Sequence, residues 1–507
     1  MSRIRSVALL GALAVAACSE IPVTPTAELV GGLGVANLVA EGSDSYLVRF
    51  RRNAIPEDFA ESVAAMGGEV IFAHAGVGLG AVSGISAAQA ATLAGRADIA
   101  SVDVDSYALL DEPSAVSLES QAAPADVVQS PSNPATAFFF PRQWNMRAIG
   151  APAAWSTGKL GKAATRVGIL DTGIGYNHAD LSGLVDLGAS RSFLSAAQNK
   201  MVTDTFPGAN VIADLHFHGT HVAATVSSNA LAAAGVTSKV TLVGIKVCTP
   251  GVAPAFNGSC PTSAVLAGVL YAADIGLDVI NMSLGGLFHP SQASSRGGFG
   301  PSFFAIMNAV FKYAHDKGTT VVVAAGNNAV DLQHGIAKTD STPHIAIAAS
   351  YCDAPYVICV SATGPTANAG TNGPWTNVDA LAFYSNYGKH HITVAAPGGN
   401  SGVLSNGTVS STFVSSACSR FTIITSLLIC RTGTFVVGSQ GTSMATPHVT
   451  GLAALIAGEV GHNPDAIAAR LMNSADDLGA RGNDAAYGFG RISVSRACAA
   501  TTSCGAP

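Results

Sequence analysis

Charge is what this chain has least of. Asp, Glu, Lys and Arg make up only 11% of its 507 residues, against about 25% in an average soluble domain. What charge there is sums to -6 with no basic excess, which argues against a nucleic-acid partner. Long apolar runs are also missing: none reaches the ~18 residues a membrane-spanning helix needs. No H-E-x-x-H pair marks a zinc protease. No D-x-D-x-D-G loop marks a calcium site, and no compact C-x2-C pair marks a zinc site. No internal repeat is found. The apolar content instead lies in short stretches rich in Ala, Val, Gly and Ile. Such stretches suit a buried parallel sheet covered by close-packed helices.

The chain opens on a targeting segment. Arg3 and Arg5 precede the uncharged apolar stretch Val7 to Ala17, the form of a secretory signal. It ends in Val15-Ala16-Ala17-Cys18, which resembles the bacterial lipobox. That resemblance implies lipidation of Cys18 by several acyl chains, where one chain alone would hold only marginally. An ordinary signal that happens to contain a cysteine is the alternative. The other cysteines agree with export. They fall as near neighbours: Cys248 with Cys260, Cys352 with Cys359, Cys418 with Cys430, Cys498 with Cys504. Local pairing is expected, each bridge closing a short loop and worth roughly 2–3 kcal/mol. Sequence does not fix connectivity, and a four-cysteine zinc site is the rival reading.

Composition divides the rest. Residues 1–18 are the signal, and 19–44, with prolines, glycines and small polar residues, read as a flexible tether. Residues 45–110 read as strand, helix, strand, strand, helix, strand, the split βαβ order. The strands are placed at Tyr46 to Phe50, Val70 to Phe72, Gly78 to Ser83 and Ile99 to Val104; the helices at Pro56 to Met66 and Ala87 to Leu93. Residues 111–140, dominated by Ser, Pro and Ala, are expected to be a disordered linker and a place for proteolytic nicking. From 141 to 507 apolar runs alternate with helical stretches. The runs are Arg166 to Leu170, Val240 to Val247, Val279 to Met282 and Thr319 to Ala325; the helices lie near Ser263 to Ile275 and Ser302 to Lys317. This alternation predicts right-handed βαβ units and a parallel sheet, with ligands at the carboxyl ends of its strands.

Three motifs carry chemistry. In Val167-Gly168-Ile169-Leu170-Asp171-Thr172-Gly173-Ile174 an apolar strand ends in a carboxylate and a tight turn. Asp171 can orient an imidazole there, or simply cap the turn. In His218-Gly219-Thr220-His221-Val222-Ala223-Ala224 a glycine permits close backbone packing at a helix start. Either histidine could be a core residue or a metal ligand. In Gly441-Thr442-Ser443-Met444-Ala445-Thr446-Pro447-His448-Val449 a serine sits in a glycine-led turn opening an apolar helix, whose free N–H groups point toward it. Pro447 is placed in the first turn, where it is tolerated. An N-cap serine is the plainer reading.

Together the three motifs resemble the subtilase family, over about residues 141–495. The order Asp, His, Ser is the subtilisin order. The resemblance implies a serine endopeptidase with Asp171, His218 and Ser443 as catalytic triad, and His221 as a structural residue. Val323-Ala324-Ala325-Gly326-Asn327 resembles the segment carrying the family's oxyanion-hole asparagine, which maps to Asn327. Val279 to Gly286 resembles the substrate-binding segment, which maps to Ser283, Leu284, Gly285 and Gly286. Weaker matches are Phe383-Tyr384-Ser385-Asn386-Tyr387-Gly388 and Ala395-Ala396-Pro397-Gly398. The implied fold is α/β: a parallel-sheet catalytic domain with helices on both faces. Residues 45–106 resemble the family's inhibitor-type propeptide, a small α+β ferredoxin-like domain that assists folding and occupies the active site until cut away. An unrelated small α+β domain is the alternative.

The expected product is an exported enzyme acting as a monomer on protein or peptide substrates through an acyl-enzyme. Its propeptide is an intramolecular inhibitor, and Cys18 is its sole membrane contact. Catalysis requires no cofactor; structural calcium is compatible with the resemblance, its ligands unassigned. Gly175 and Ala224 depart from the family pattern at positions that carry no chemistry. Leu404 to Gln440 is longer and more apolar than the pattern, and is read as shaping the pocket or decorating the surface. Two other classes compete. A silent binding protein on the same fold has no chemical reason to keep the triad and Asn327, and an envelope lipoprotein leaves the triad unexplained.

Overall fold

The computed structural model describes residues 44–110, 117–250, 258–288, 301–334, 348–349, 351–403 and 405–499, all within one compact unit. The signal, Cys18, residues 19–43 of the tether and Cys504 lie outside the described residues.

The front lobe follows its sequence pattern. Tyr46, Val48 and Phe50 of β1 (Tyr46–Phe50) meet Phe59 and Val63, one turn apart on α1 (Phe59–Ala65). After β2 (Glu69–His74) and β3 (Leu79–Ser83), a capping box between Ser86 and Gln89 starts α2 (Ala87–Ala94). β4 (Ile99–Val104) completes an antiparallel sheet in the order β2-β3-β1-β4, the split βαβ topology. One face is covered by the two helices. The other, with Leu47, Leu79 and Ala81, joins the core of the following domain.

β5 (Tyr107–Leu109) leaves this lobe, and β6 (Ser117–Leu118) begins the next stretch. The expected disordered linker is corrected here over 117–140. β6 pairs antiparallel with residues 437–438. Phe138 and Phe139 donate to the carbonyls of Leu231 and Ala232, and Ala137 and Phe139 are buried. A polar composition cannot order itself, but this segment borrows partners from the domain it wraps.

The large domain carries β7 (Arg166–Asp171), β8 (Arg191–Ser192), α3 (His218–Val226), β9 (Thr241–Lys246), β10 (Ser259–Pro261), α4 (Thr262–Asp274), β11 (Val279–Met282), α5 (Pro301–Asp316) and β12 (Thr320–Ala324). Then come β13 (Val357–Gly364), β14 (Ala380–Leu381), β15 (Val394–Pro397), β16 (Val414–Ala417), β17 (Val436–Ser439) and α6 (Thr442–Val460). The main sheet runs β14-β13-β12-β11-β7-β9-β8, with β15 also on β13. Every pairing is parallel except β13 with β14. Both faces are buried, which is why the strands read as continuous apolar runs. Val322 faces a core built with α3 and α6, whereas Val321 and Val323 face one built with α4 and α5. Among the described residues no helix is long and apolar enough to cross a membrane.

Candidate active site

Asp171 is the last residue of β7, and His218 the first of α3. Gly219 lets the two elements meet. A Cβ there would stand 2.1 Å from the Gly173 carbonyl and 3.1 Å from Asp171 Cβ. His218 Nδ1 lies 2.7 Å from Asp171 Oδ1, with both side chains fully buried. That contact needs the proton on Nδ1, which places the ring's lone pair on Nε2. The Thr172 amide also donates to Asp171 Oδ1, at 2.7 Å. His221 is buried elsewhere: its Nε2 donates to the Val414 carbonyl at 2.9 Å. Burial pushes its pKa down to about 3, which keeps it neutral.

Ser443 stands in the first turn of α6, 8% exposed. α6 packs against α3. Ser443 Oγ donates to the Ser283 carbonyl at 3.2 Å, and Ser283 Oγ donates to the Ser443 carbonyl at 2.7 Å. The second bond traces to Pro447, which lies past the first turn rather than within it. Proline has no N–H for the carbonyl four residues back, so Ser443's carbonyl needs another donor. Asn281 Nδ2 donates to Ser283 Oγ at 2.9 Å, and Thr450 Oγ1 to Asn281 Oδ1 at 2.8 Å. Sequence reasoning missed this buried relay; its visible trace was a proline four residues after the serine.

Asn327 follows β12 on a turn where Gly326 has φ +96°. Its Oδ1 accepts from the Thr442 amide at 2.8 Å and Thr442 Oγ1 at 2.9 Å. Those two bonds settle which end of the amide is oxygen and turn Nδ2 the other way. The loop is held by Asn386, whose Nδ2 donates to the Ala325 carbonyl and whose Oδ1 accepts from the amides of Asn328 and Val330. The motif around Asn386 is therefore a support. So is Pro397-Gly398, since Gly441 donates to the Gly398 carbonyl at 2.9 Å. Ser283, Leu284, Gly285 and Gly286 follow β11, with Ser283 and Leu284 buried. Because β12, β11 and β7 are parallel neighbours, Asn327, Ser283 and Asp171 share one edge of the sheet, where ligands of open α/β sheets bind.

The tail of the front lobe runs along a strand just ahead of α4. Tyr107, Ala108 and Leu109 pair antiparallel with Pro261, Cys260 and Ser259 of β10, and the Leu110 amide donates to the Gly258 carbonyl at 2.8 Å. Ala108 and Leu110 are buried. Cys248–Cys260, Cys352–Cys359 and Cys418–Cys430 are disulfides as expected. The segment around Cys418–Cys430 packs Leu427 and Phe435 against Phe217, the residue before His218. Among the described residues no cluster of three or more His, Cys, Asp or Glu is placed to hold a metal ion.

A buried carboxylate–imidazole pair at the carboxyl edge of a parallel sheet, with a serine at the start of a helix packed against the imidazole's own helix, is a layout open to serine hydrolase chemistry. Comparisons narrow the class. The Subtilase family description matches residues 162–490. The chain is 31% identical over 338 residues to the thermophilic serine proteinase of Bacillus sp. (strain AK1), covering 66% of this chain and 62% of that protein. It is 33% identical over 338 residues to subtilisin DY of Bacillus licheniformis, covering 66% of this chain and 91% of that protein. In fold it is similar to an epidermin leader peptide processing serine protease from Staphylococcus aureus. That match has a TM-score of 0.65 at 19% identity and covers 91% of this chain and 99% of that one. The chain belongs to the subtilase family and is a serine-type endopeptidase.

Proposed function

We propose that the chain is an exported zymogen whose catalytic domain cleaves peptide bonds with Asp171, His218 and Ser443. The observation that carries the reading is the buried Asp171–His218 contact of 2.7 Å, made between the end of β7 and the first turn of α3, which packs against the helix that carries Ser443. Ser443 Oγ, swung from the Ser283 carbonyl toward the imidazole, attacks the substrate carbonyl. His218 takes its proton and returns it to the leaving amine, while Asp171 holds the tautomer and stabilises the imidazolium. Asn327 Nδ2 and the Ser443 amide meet the oxyanion. Water then releases the acyl group from Ser443.

The residues 107–110 on β10 support reading the front lobe as an inhibitory propeptide, with Ser283 to Gly286 as the opposite side of the peptide site. Maturation then falls between Tyr107 and Gln143. The signal segment supports export with a lipid at Cys18, which leaves with the propeptide if the cut frees the enzyme. A fluorophosphonate probe tests the chemistry. It should label the wild-type chain and not Ser443→Ala; equal labelling of both, or none of either, refutes the reading.

A further inference from the structure

Asp214 lies on the loop ahead of α3, fully buried, with no part in the chemistry above. Four donors converge on its carboxylate. Oδ1 accepts from Thr172 Oγ1 at 2.8 Å and the His216 amide at 2.9 Å. Oδ2 accepts from the Thr220 amide at 2.9 Å and Thr220 Oγ1 at 2.5 Å. These partners belong to different elements. Thr172 directly follows Asp171 at the end of β7, and Thr220 lies in the same helical turn as His218. One carboxylate therefore grips both halves of the Asp171–His218 contact.

Thr172 passes the grip on. Its Oγ1 accepts from the Gly219 amide at 3.0 Å. Its single proton has two acceptors in reach, Asp214 Oδ1 at 2.8 Å and Asp171 Oδ1 at 3.3 Å. The shorter contact goes to Asp214, so Asp171 Oδ1 is left to the Thr172 amide and His218 Nδ1. An amide in place of Asp214 would turn an NH2 group onto two of the donors and break the set. Buried Lys246 lies nearby, its Nζ donating to the Ala213 carbonyl at 2.7 Å.

We propose that Asp214 is a positioning residue for the reaction: through Thr172 and Thr220 it sets the distance and angle between Asp171 and His218. The inference rests on the peptidase reading. Turnover of a chromogenic peptide by the matured chain tests it, in wild type, Thr172→Val, Thr172→Ser and Asp214→Asn, with thermal unfolding measured beside it. Valine keeps the shape of Thr172 and removes the hydroxyl. Thr172→Val should lower kcat by about 10- to 10²-fold, the range expected for a slight misplacement of catalytic groups. KM should stay within about twofold, and Thr172→Ser should regain most of the loss. Asp214→Asn should show the same split, and Thr172→Val decides the question whether or not that variant folds. An active wild type with Thr172→Val unchanged, or with serine no better than valine, overturns the positioning role alone. A wild type that neither turns over peptide nor takes the fluorophosphonate overturns both it and the peptidase reading.

Discussion

Asp105 should make the grip of the front lobe depend on pH. It sits just past β4, buried against the start of α4. The Ser263 amide donates to its Oδ1 at 2.9 Å, and Ser263 Oγ contacts its Oδ2. Loss of solvent outweighs both bonds and pushes its pKa up from 3.8 to about 6. A difference of about two units corresponds to roughly 3 kcal/mol between docked and undocked lobes. The penalty for docking the ionised form is therefore ~3 kcal/mol, or about 10²-fold. The sign follows from the raised pKa: the docked state holds the proton more tightly. Docking is therefore at full strength below about pH 4, weakens as pH rises to about 6, and is constant above.

Asp105→Asn copies the protonated acid at every pH, its oxygen accepting the Ser263 amide and its NH2 facing Ser263 Oγ. The measurement is hydrogen exchange at the Ser263 amide in full-length Ser443→Ala chains, which stay uncut. At pH 7 the chain carrying Asp105→Asn should open about 10²-fold less often than its parent. At pH 4 the two should agree. Neighbouring groups are common to both chains: Asp103, which accepts from Ser302 at the start of α5, Tyr107, and the His74–Asp274 pair. They cancel in the comparison. Parallel loss of protection in both chains, or a looser variant at pH 7, would refute the reasoning.

Two substitutions probe the site itself. Asn327→Ala should lower kcat by about 10²–10³ with KM nearly unchanged in steady-state assays; a raised KM with normal kcat would exclude an oxyanion role. Gly219→Ala puts a Cβ 2.1 Å from the Gly173 carbonyl, so α3 must back away from β7. Turnover should fall about 10²-fold and unfolding should cost ~1–3 kcal/mol less, while full activity with unchanged stability would show that the close approach is not needed.

The main strands were legible because burial on both faces leaves an uninterrupted apolar run, and β11 falls on Val279–Met282 as read. Asp171, His218 and Ser443 stand out in the sequence because each sits at an element boundary with a glycine within two residues. Asp214 does not. Its role comes from bonds to Thr172 and Thr220, across 42 and 6 residues, and nothing local distinguishes it from a loop aspartate. The order of residues 117–140 was hidden for a related reason. Composition reports whether a segment can fold alone, and this one folds on Asn229 to Ala232 and on β17. Pro447 misled because the helix start was taken as later than Thr442; the cost of a proline there is met by Ser283, 160 residues away.

The two paired stretches around residues 111–116 bear on what a processing cut would release. On one side Tyr107 to Leu110 lie on β10 and Gly258; on the other Ser117 and Leu118 lie on β17, just ahead of α6. Both ends of a chain cut between them would still be held. The downstream end is fastened by Ala137 and Phe139 within the catalytic domain's own cores, and letting go would expose them. The upstream end belongs to a lobe with its own core, so it can leave folded. Its grip on the domain adds polar contacts to the apolar face, and Asp105 is a member that weakens when ionised. Under the proposed processing, the bond cut in the zymogen and the step that frees the active site are therefore separate events. The second is tuned by pH, with neutral conditions favouring release.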